Sequence, residues 1–154
     1  MKKHVKDSHV IMHELILPND TNNLGTVFGG KVMQYMDLCA AMSAYKHSRS
    51  HVVTASVDNL NFLAPAKKGF ILILKSSVNF ASKTSMEVGV KIESENPFTG
   101  EIRHTASAYL TFVALDEYGK PKVVPPIKPE TKDEKRRHKK GKKRTQMRKK
   151  ELNT

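Results

Sequence analysis

The chain has 154 residues, of which 38% are hydrophobic, and it contains a single cysteine. This length suits one domain with one core, and a lone cysteine excludes an intramolecular disulfide. No stretch approaches the roughly 18 apolar residues of a membrane-spanning helix, and the N-terminus lacks the long apolar run of a signal peptide. We therefore expect a cytoplasmic protein with one globular domain.

The positive charge is concentrated towards the C-terminus. The formal net charge is +12, but residues 128–154 hold 13 Lys/Arg and 4 Asp/Glu, whereas residues 1–127 hold 14 and 11. A nearly neutral body with a basic tail implies different partners from a basic domain. Thr131 and Glu134 match a helix capping box, and Gly141 weakens the helix that would follow. We predict a basic, exposed and partly helical tail over residues 124–154.

The first part of the body predicts a strand, a polar turn and a buried helix. Residues 10–17 form a short apolar run that ends at a proline, which is typical of a strand. The turn-forming sequence NDTNN follows. The segment from Gly29 to about His47 has Lys31 and Asp37 as its only charged residues before its last turn. A helix that is apolar nearly all round is expected to be buried.

The rest of the body predicts strands. Residues 51–64 and 70–81 are mostly apolar runs, residues 86–93 alternate with a period of two, and residues 102–115 form a further long run. Hairpin-length connections between these runs favour antiparallel pairing. The sequence therefore predicts an α+β fold in which about five strands form a long antiparallel sheet wrapped around one central helix.

The letters from Gly25 to Lys31 also spell G-x-x-x-x-G-K, the beginning of a phosphate-binding P-loop. A P-loop needs Ser or Thr after the lysine to hold Mg²⁺, but Val32 stands there, and the alternating helices of a parallel α/β sheet are missing. Nucleotide hydrolysis is therefore disfavoured. The glycine pair still allows close backbone approach, and free N–H groups at a helix start favour an anion.

Asp37 is the candidate that the helix pattern itself indicates. It lies on one helix face with Gly30, Met33 and three alanines, at about 100° per residue. A carboxylate on an apolar face is costly unless it is paired, hydrogen-bonded or in use, so a structural role and a catalytic role are both open. Asn22, in the turn before the helix, is by default a turn residue.

Other catalytic constellations have little support. The chain has no G-x-S-x-G elbow of a serine hydrolase. Cys39 lies in the predicted buried helix and is expected to be an inert core thiol. The histidines form no ligand motif, so we expect no metal.

The stretch PNDTNNLGTVFGGKVMQYMD at residues 18–37 resembles the signature of hotdog-fold acyl-CoA thioesterases of the YciA/YkhA type and the brain-type acyl-CoA hydrolases. The likeness continues through VVTASVDNLNFLAPAKKG (52–69), SKTSMEVGVKIESENPFTGE (82–101) and AYLTFVALDEYGKPKVVP (108–125). The resemblance implies a hotdog domain over residues 8–123. It also implies that the protein hydrolyses fatty acyl-CoAs to free fatty acid and CoA without a cofactor.

The resemblance also implies the site. Asp37 would activate water or attack the thioester directly, and Asn22 of the other subunit would orient the water or the carbonyl. The N–H of Gly30 would stabilise the oxyanion. The substrate-binding residues would be Phe28, Gly29, Phe62, Lys83, Thr84 and Ser85, with Lys67 and Lys68 as weaker candidates for the CoA phosphates.

The resemblance further implies a dimer, often assembled into a hexamer as a trimer of dimers. Phe28 stands where many hotdog relatives carry histidine, which argues against a dehydratase. Two alternatives are a non-catalytic hotdog that senses acyl-CoA and a binder of nucleic acid or anionic membranes that acts through the tail. The tail has no interleaved aromatic residues to stack on bases and few apolar positions to enter a membrane, so we expect no nucleic-acid partner.

Overall fold

The computed structural model describes residues 2–153. One long helix lies on the inner face of a five-stranded sheet, and a second helix lies on the outer face. The elements in chain order are β1 (Lys3–His4), β2 (Val10–Leu15), α1 (Gly29–Ser48), β3 (His51–Phe62), β4 (Ile71–Ala81), β5 (Ser85–Glu95), β6 (Ile102–Leu115), β7 (Ile127–Lys128) and α2 (Lys132–Leu152).

The main sheet has the strand order β2-β4-β5-β6-β3, and every neighbouring pair is antiparallel. The short strands β1 and β7 form a separate parallel pair. The prediction of an α+β hotdog fold, with a long antiparallel sheet around one helix, is therefore confirmed. The long strands are bounded by turn-forming residues and follow an alternation of apolar and polar residues, so they could be predicted from the sequence.

Alternation along the strands decides which residues face α1. Leu72, Leu74 and Val78 of β4 point to the inner face, where they are buried in the same core cluster as Met36 and Ala40 of α1. A polar contact also joins the two layers, because the hydroxyl oxygens of Ser43 and Ser76 lie 2.6 Å apart. Residues on the outer face of the sheet alternate with these core residues.

The prediction that α1 is buried all round is wrong for the single chain. One face of the helix packs on the sheet, but the opposite face carries four large side chains that are between 39% and 49% exposed: Met33, Leu38, Met42 and Tyr45. The five strands of one chain cover only one side of a helix of this diameter. The apolar composition therefore indicates that something else covers the second side.

The C-terminal segment differs from the predicted partly helical, exposed tail. The predicted capping box is present, since Thr131 Oγ1 accepts from Glu134 N at 3.1 Å and Glu134 Oε1 accepts from Thr131 N at 3.4 Å. The helix then runs through Gly141 without a break and packs on β4. A Cβ on Gly141 would lie 3.0 Å from Glu87 Oε1 and 3.2 Å from Phe80 Cβ. The glycine therefore allows close helix–sheet contact.

A buried ion pair holds α2 on the sheet. The guanidinium of Arg144 donates to both carboxylate oxygens of Glu87, at 2.9 and 2.7 Å, and the Glu87 side chain is fully buried. Asn79 Nδ2 donates to the same carboxylate at 3.2 Å, and Arg144 lies 3.6 Å above the centroid of the Tyr109 ring. The boundary near residue 123 stays a prediction, although Ile127 beyond it belongs to the common core.

Candidate active site

The polar turn before α1 is held by its own hydrogen bonds. Asn22 N donates to Thr26 O at 2.9 Å, and Gly25 N donates to Asn22 O at 3.0 Å. Gly25 has a φ of +76°, a left-handed conformation that favours glycine. Phe28 N donates to Asp20 O at 2.9 Å, which fixes the turn to the beginning of the helix.

The side chain of Asn22 has both a turn role and a free donor. Its Oδ1 accepts from Leu24 N at 2.9 Å and from Thr26 N at 3.2 Å, so Asn22 is a turn-forming residue, as the sequence predicts. Its Nδ2 group has no hydrogen-bond acceptor in the described part of the chain. Within one chain, no hydrogen bond joins Asn22 to Asp37 across residues 2–153. The two exposed residues Lys67 and Lys68 lie beside this turn, where Lys68 N donates to Gly25 O.

The glycine pair begins α1 with two exposed backbone N–H groups. Lys31 N and Val32 N both donate to Phe28 O, at 3.0 and 3.1 Å. The N–H groups of Gly29 and Gly30 have no such acceptor among the described residues. A Cβ on Gly30 would meet no atom within 4 Å, so a ligand can approach its backbone. Free donors at the positive end of a helix dipole are suited to an oxyanion.

Asp37 lies two turns further along α1 and is half-buried. Its Oδ1 accepts a hydrogen bond of 2.5 Å from Thr54 Oγ1 on β3. No ion pair within residues 2–153 includes Asp37. The acid is therefore oriented by one hydroxyl and keeps oxygen lone pairs that can accept a proton.

Thr54 is the site residue that the sequence reasoning missed. Its strand has a register irregularity immediately after it, between Thr54 and Ser56. Such bulges re-aim side chains and are frequent beside active sites. The sequence did show that Thr54 is a polar residue within a run predicted to be a strand. Its contact with Asp37, however, depends on how β3 is positioned beside α1, which the sequence does not show.

The predicted contacts Gly29 and Phe62 lie together in the structure. A Cβ on Gly29 would sit 3.5 Å from Phe62 Cζ. Both residues line a cavity of about 340 Å³ whose other walls are mostly apolar: Val27, Val32, Leu63, Ala64, Pro65, Ala66 and Thr105. Phe28 precedes the glycine pair and is half exposed.

The turn formed by Lys83, Thr84 and Ser85 lies elsewhere in the chain. Ser85 pairs with Val113 near one end of β6, whereas Phe62 pairs near the other end of β6. One chain therefore does not bring this turn to the glycine pair. Substrate contact by these three residues stays a prediction.

Three further features of the described chain concern the thiol, metal ligands and membrane-spanning helices. Burial raises the pKa of the Cys39 thiol, opposed by a hydrogen bond with Ser76, so this thiol stays protonated near neutral pH. Over residues 2–153, no group of three or more His, Cys, Asp or Glu side chains is placed to hold a metal ion. In the same part of the chain, no helix combines the length and apolarity needed to cross a membrane.

Sequence comparison identifies relatives of this chain. The profile of the Thioesterase superfamily matches residues 24–100. A Bacillus subtilis protein described as an uncharacterized acyl-CoA thioester hydrolase, YkhA, is 46% identical over 129 residues, which are 84% of this chain and 75% of that protein. The cytosolic acyl coenzyme A thioester hydrolase of Mus musculus is 38% identical over 130 residues. The match covers 83% of this chain but only 34% of the mouse protein.

Solved structures share the same fold. An apo-hexameric acyl-CoA thioesterase is 46% identical, with a TM-score of 0.94 and coverage of 98% of this chain and 97% of that chain. The Staphylococcus aureus acyl-CoA hydrolase, solved with butyryl coenzyme A, coenzyme A and coenzyme A disulfide, is 40% identical, with a TM-score of 0.91 and coverage of 99% and 93%.

Variants of the S. aureus hydrolase with one aspartate, one threonine or one asparagine changed to alanine match with TM-scores of 0.90 to 0.92. The spacing of those three positions equals that of Asn22, Asp37 and Thr54 here: the aspartate lies 15 positions after the asparagine, and the threonine lies 17 positions after the aspartate. The chain therefore belongs to the Thioesterase superfamily and, within it, to the hotdog-fold acyl-CoA thioester hydrolases.

Proposed function

We propose that this protein hydrolyses fatty acyl-CoA thioesters to a free fatty acid and CoA, and that Asp37 carries the reaction. The observation on which this rests is the Asp37 carboxylate, held by Thr54 at 2.5 Å, without an ion-pair partner in the described chain, on the uncovered face of α1. The names of the relatives support the substrate class. The matching spacing in the S. aureus variants supports the choice of Asp37, Thr54 and Asn22.

The residues divide the chemistry between them. Asp37 removes a proton from water as the water oxygen bonds to the thioester carbonyl carbon, and the carbonyl oxygen becomes an oxyanion held by the N–H of Gly30. Collapse of this intermediate breaks the carbon–sulfur bond, and the CoA sulfur takes the proton. Direct attack by Asp37 would instead give an anhydride that water then opens. Asn22 Nδ2 orients the water or the carbonyl, and neither route needs a cofactor.

The surfaces around Gly29 and around the Lys83 turn indicate where the two parts of the substrate bind. The apolar cavity beside Gly29 and Phe62 receives the acyl chain, with Phe28 at its edge. The pantetheine arm runs along the Lys83, Thr84 and Ser85 turn. Because this turn and the glycine pair lie apart in one chain, the complete site requires more than one subunit.

Self-association brings Asn22 of one subunit to the partner's Asp37. The neighbouring strand β3 packs against α1 and carries the exposed apolar residue Val57, whose ladder partner Leu110 belongs to the core below α1. An apolar patch of this kind marks an interface between proteins. β3 is also an edge strand of twelve residues, so a second copy can extend the sheet. We propose a dimer on this face, assembled into a trimer of dimers, that works in the cytoplasm.

The test is thiol release from a series of acyl-CoAs of increasing chain length. Asp37→Asn keeps a carbonyl oxygen for Thr54 but loses the base, so turnover falls at least about 100-fold. Asp133→Asn, an exposed acid on α2, is the matched control and keeps full turnover.

Undiminished turnover by a folded Asp37→Asn protein would refute the assignment. A wild-type protein that binds acyl-CoA without releasing thiol would identify the non-catalytic sensor instead.

A further inference from the structure

A second cavity lies on the outer face of the sheet, away from α1 and from the Asp37 site. Its volume is about 440 Å³, and it is bounded by the sheet below and by α2 at one side. Three cations line it: Lys75 of β4, Lys91 of β5 and Arg137 of α2. No Asp or Glu side chain belongs to the described lining. Three cations without a lining acid make the cavity suited to an anion.

The two lysines are direct neighbours in the sheet. Lys75 and Lys91 pair across β4 and β5, so their side chains leave the same face side by side. Like charges in this position are destabilising. The charge of Lys75 is neutralised by an ion pair, in which its Nζ lies 3.1 Å from Glu93 Oε1. Lys91 has no ion pair or side-chain hydrogen bond within residues 2–153, so one charge is left over.

Arg137 also lacks a partner. Its Nε is buried and makes no hydrogen bond, and an unmade hydrogen bond of a buried charged group is costly. Two other arginines that face the sheet from α2 are paired, Arg144 with Glu87 and Arg148 with Asp58 at 3.0 Å. Arg137 is therefore the sheet-facing arginine of α2 whose charge the described chain leaves unmatched.

We propose that this cavity binds a small phosphorylated molecule, with the phosphate between Lys91 and Arg137. A phosphate dianion offsets both unmatched cations, and its oxygens accept from the guanidinium in the bidentate geometry that arginine favours. The hydroxyls of Ser77 and Ser107, which also line the cavity, supply neutral donors. A cavity of about 440 Å³ has the size of a small-molecule site, which suits a metabolite rather than a polymer.

The phosphate has two possible sources that share this chemistry. One is the nucleotide end of CoA, which carries phosphates, and the other is a separate phosphorylated metabolite. The proposal does not depend on Asp37, because binding is measured without hydrolysis.

The experiment is isothermal titration of the full-length protein with two probes, inorganic pyrophosphate and adenosine 3′,5′-bisphosphate. Lys91→Met and Arg137→Gln each weaken binding at least about tenfold, as loss of one charge-assisted contact predicts. Lys139→Met removes an exposed cation of α2 that is absent from the cavity lining, so it is the matched control and changes affinity less than about twofold. Asp37→Asn binds both probes like the wild type.

Lys91→Met keeps the aliphatic stem and removes the repulsion with Lys75, so the unliganded variant unfolds at the same or a higher temperature than the wild type. An unfolding temperature that does not fall shows that weaker binding by Lys91→Met comes from the loss of the site and not from unfolding. Bisphosphate binding with a raised KM for acyl-CoA in Lys91→Met assigns the site to CoA. Pyrophosphate binding with an unchanged KM assigns it to a separate ligand. No saturable binding of either probe, or an equal loss in Lys139→Met, overturns the proposal.

Discussion

At the scale of single residues, the Asp37 site depends on a short polar contact inside an apolar surface. Asp37 comes from a helix and Thr54 from a strand, and the hydrogen bond between them is 2.5 Å long. A hydroxyl that donates to one carboxylate oxygen limits the rotation of the side chain and leaves the other oxygen for water. Thr54 is therefore a positioning residue for the base.

Replacing Thr54 by valine removes the hydroxyl and keeps the shape of a β-branched side chain. We expect kcat to fall by about tenfold or more, because orientation of the base is lost. The free energy of unfolding should change by about 1 kcal/mol or less, the net value of one hydrogen bond. Thiol-release kinetics and urea unfolding measure the two effects.

Ser56→Ala is the matched control for Thr54→Val. It lies two residues along the same strand, and Ser56 Oγ has no hydrogen-bond partner in the described chain. Full activity in Ser56→Ala and an unchanged kcat in Thr54→Val would together show that Thr54 does not orient Asp37.

At the scale of elements, α2 packs closely on the outer face of the sheet. Its sheet-facing side inserts Arg144 above the Tyr109 ring and pairs it with a carboxylate that has no solvent exposure. Gly141 has no side chain, so the helix can lie close to Glu87. A chain that ends before α2 would expose Glu87, so deletion of the segment is not a neutral change.

Arg144→Met leaves Glu87 buried without its cation. We expect a loss of about 3–5 kcal/mol in the free energy of unfolding, the typical cost of breaking one side of a buried pair. Arg136→Met is the matched control, since its 3.6 Å contact with Asp133 is exposed and should contribute about 1 kcal/mol or less. Urea denaturation measures both.

The double variant Glu87→Gln with Arg144→Met removes the buried charge together with its partner. It should recover much of the stability lost in Arg144→Met, because it no longer leaves an unpaired carboxylate charge buried in the sheet. A single Arg144→Met variant as stable as wild type would show that the pair does not hold α2 on the sheet.

At the scale of the whole molecule, the sheet covers one side of α1 and leaves the other side open. The uncovered side of α1 carries Met33, Leu38, Met42 and Tyr45, and it also presents Asp37. An exposed apolar patch of this kind marks a surface that interacts with a partner. The proposed site and the proposed interface therefore coincide.

Leu38→Lys places a charge in the uncovered face of α1. We expect the assembly to dissociate and turnover to fall with it, because Asn22 and the partner's Asp37 separate. Light scattering coupled to size-exclusion chromatography measures the mass, and thiol release measures turnover. Leu152→Lys is the matched control, since Leu152 is 80% exposed near the end of α2. A fully active Leu38→Lys monomer would contradict a site shared between subunits.

Local sequence patterns predicted the five strands of the main sheet, the central helix, the capping box at Thr131 and the position of Asp37 among apolar residues, but not the short pair of β1 and β7. These features depend on neighbours a few residues apart, through the period of two, the helical repeat and turn chemistry. Three contacts became visible only in the folded chain: Thr54 with Asp37, Gly141 with Glu87, and Lys91 with Arg137 around one cavity. Those contacts join residues from different elements, and strand register and helix packing set them, neither of which a single sequence displays.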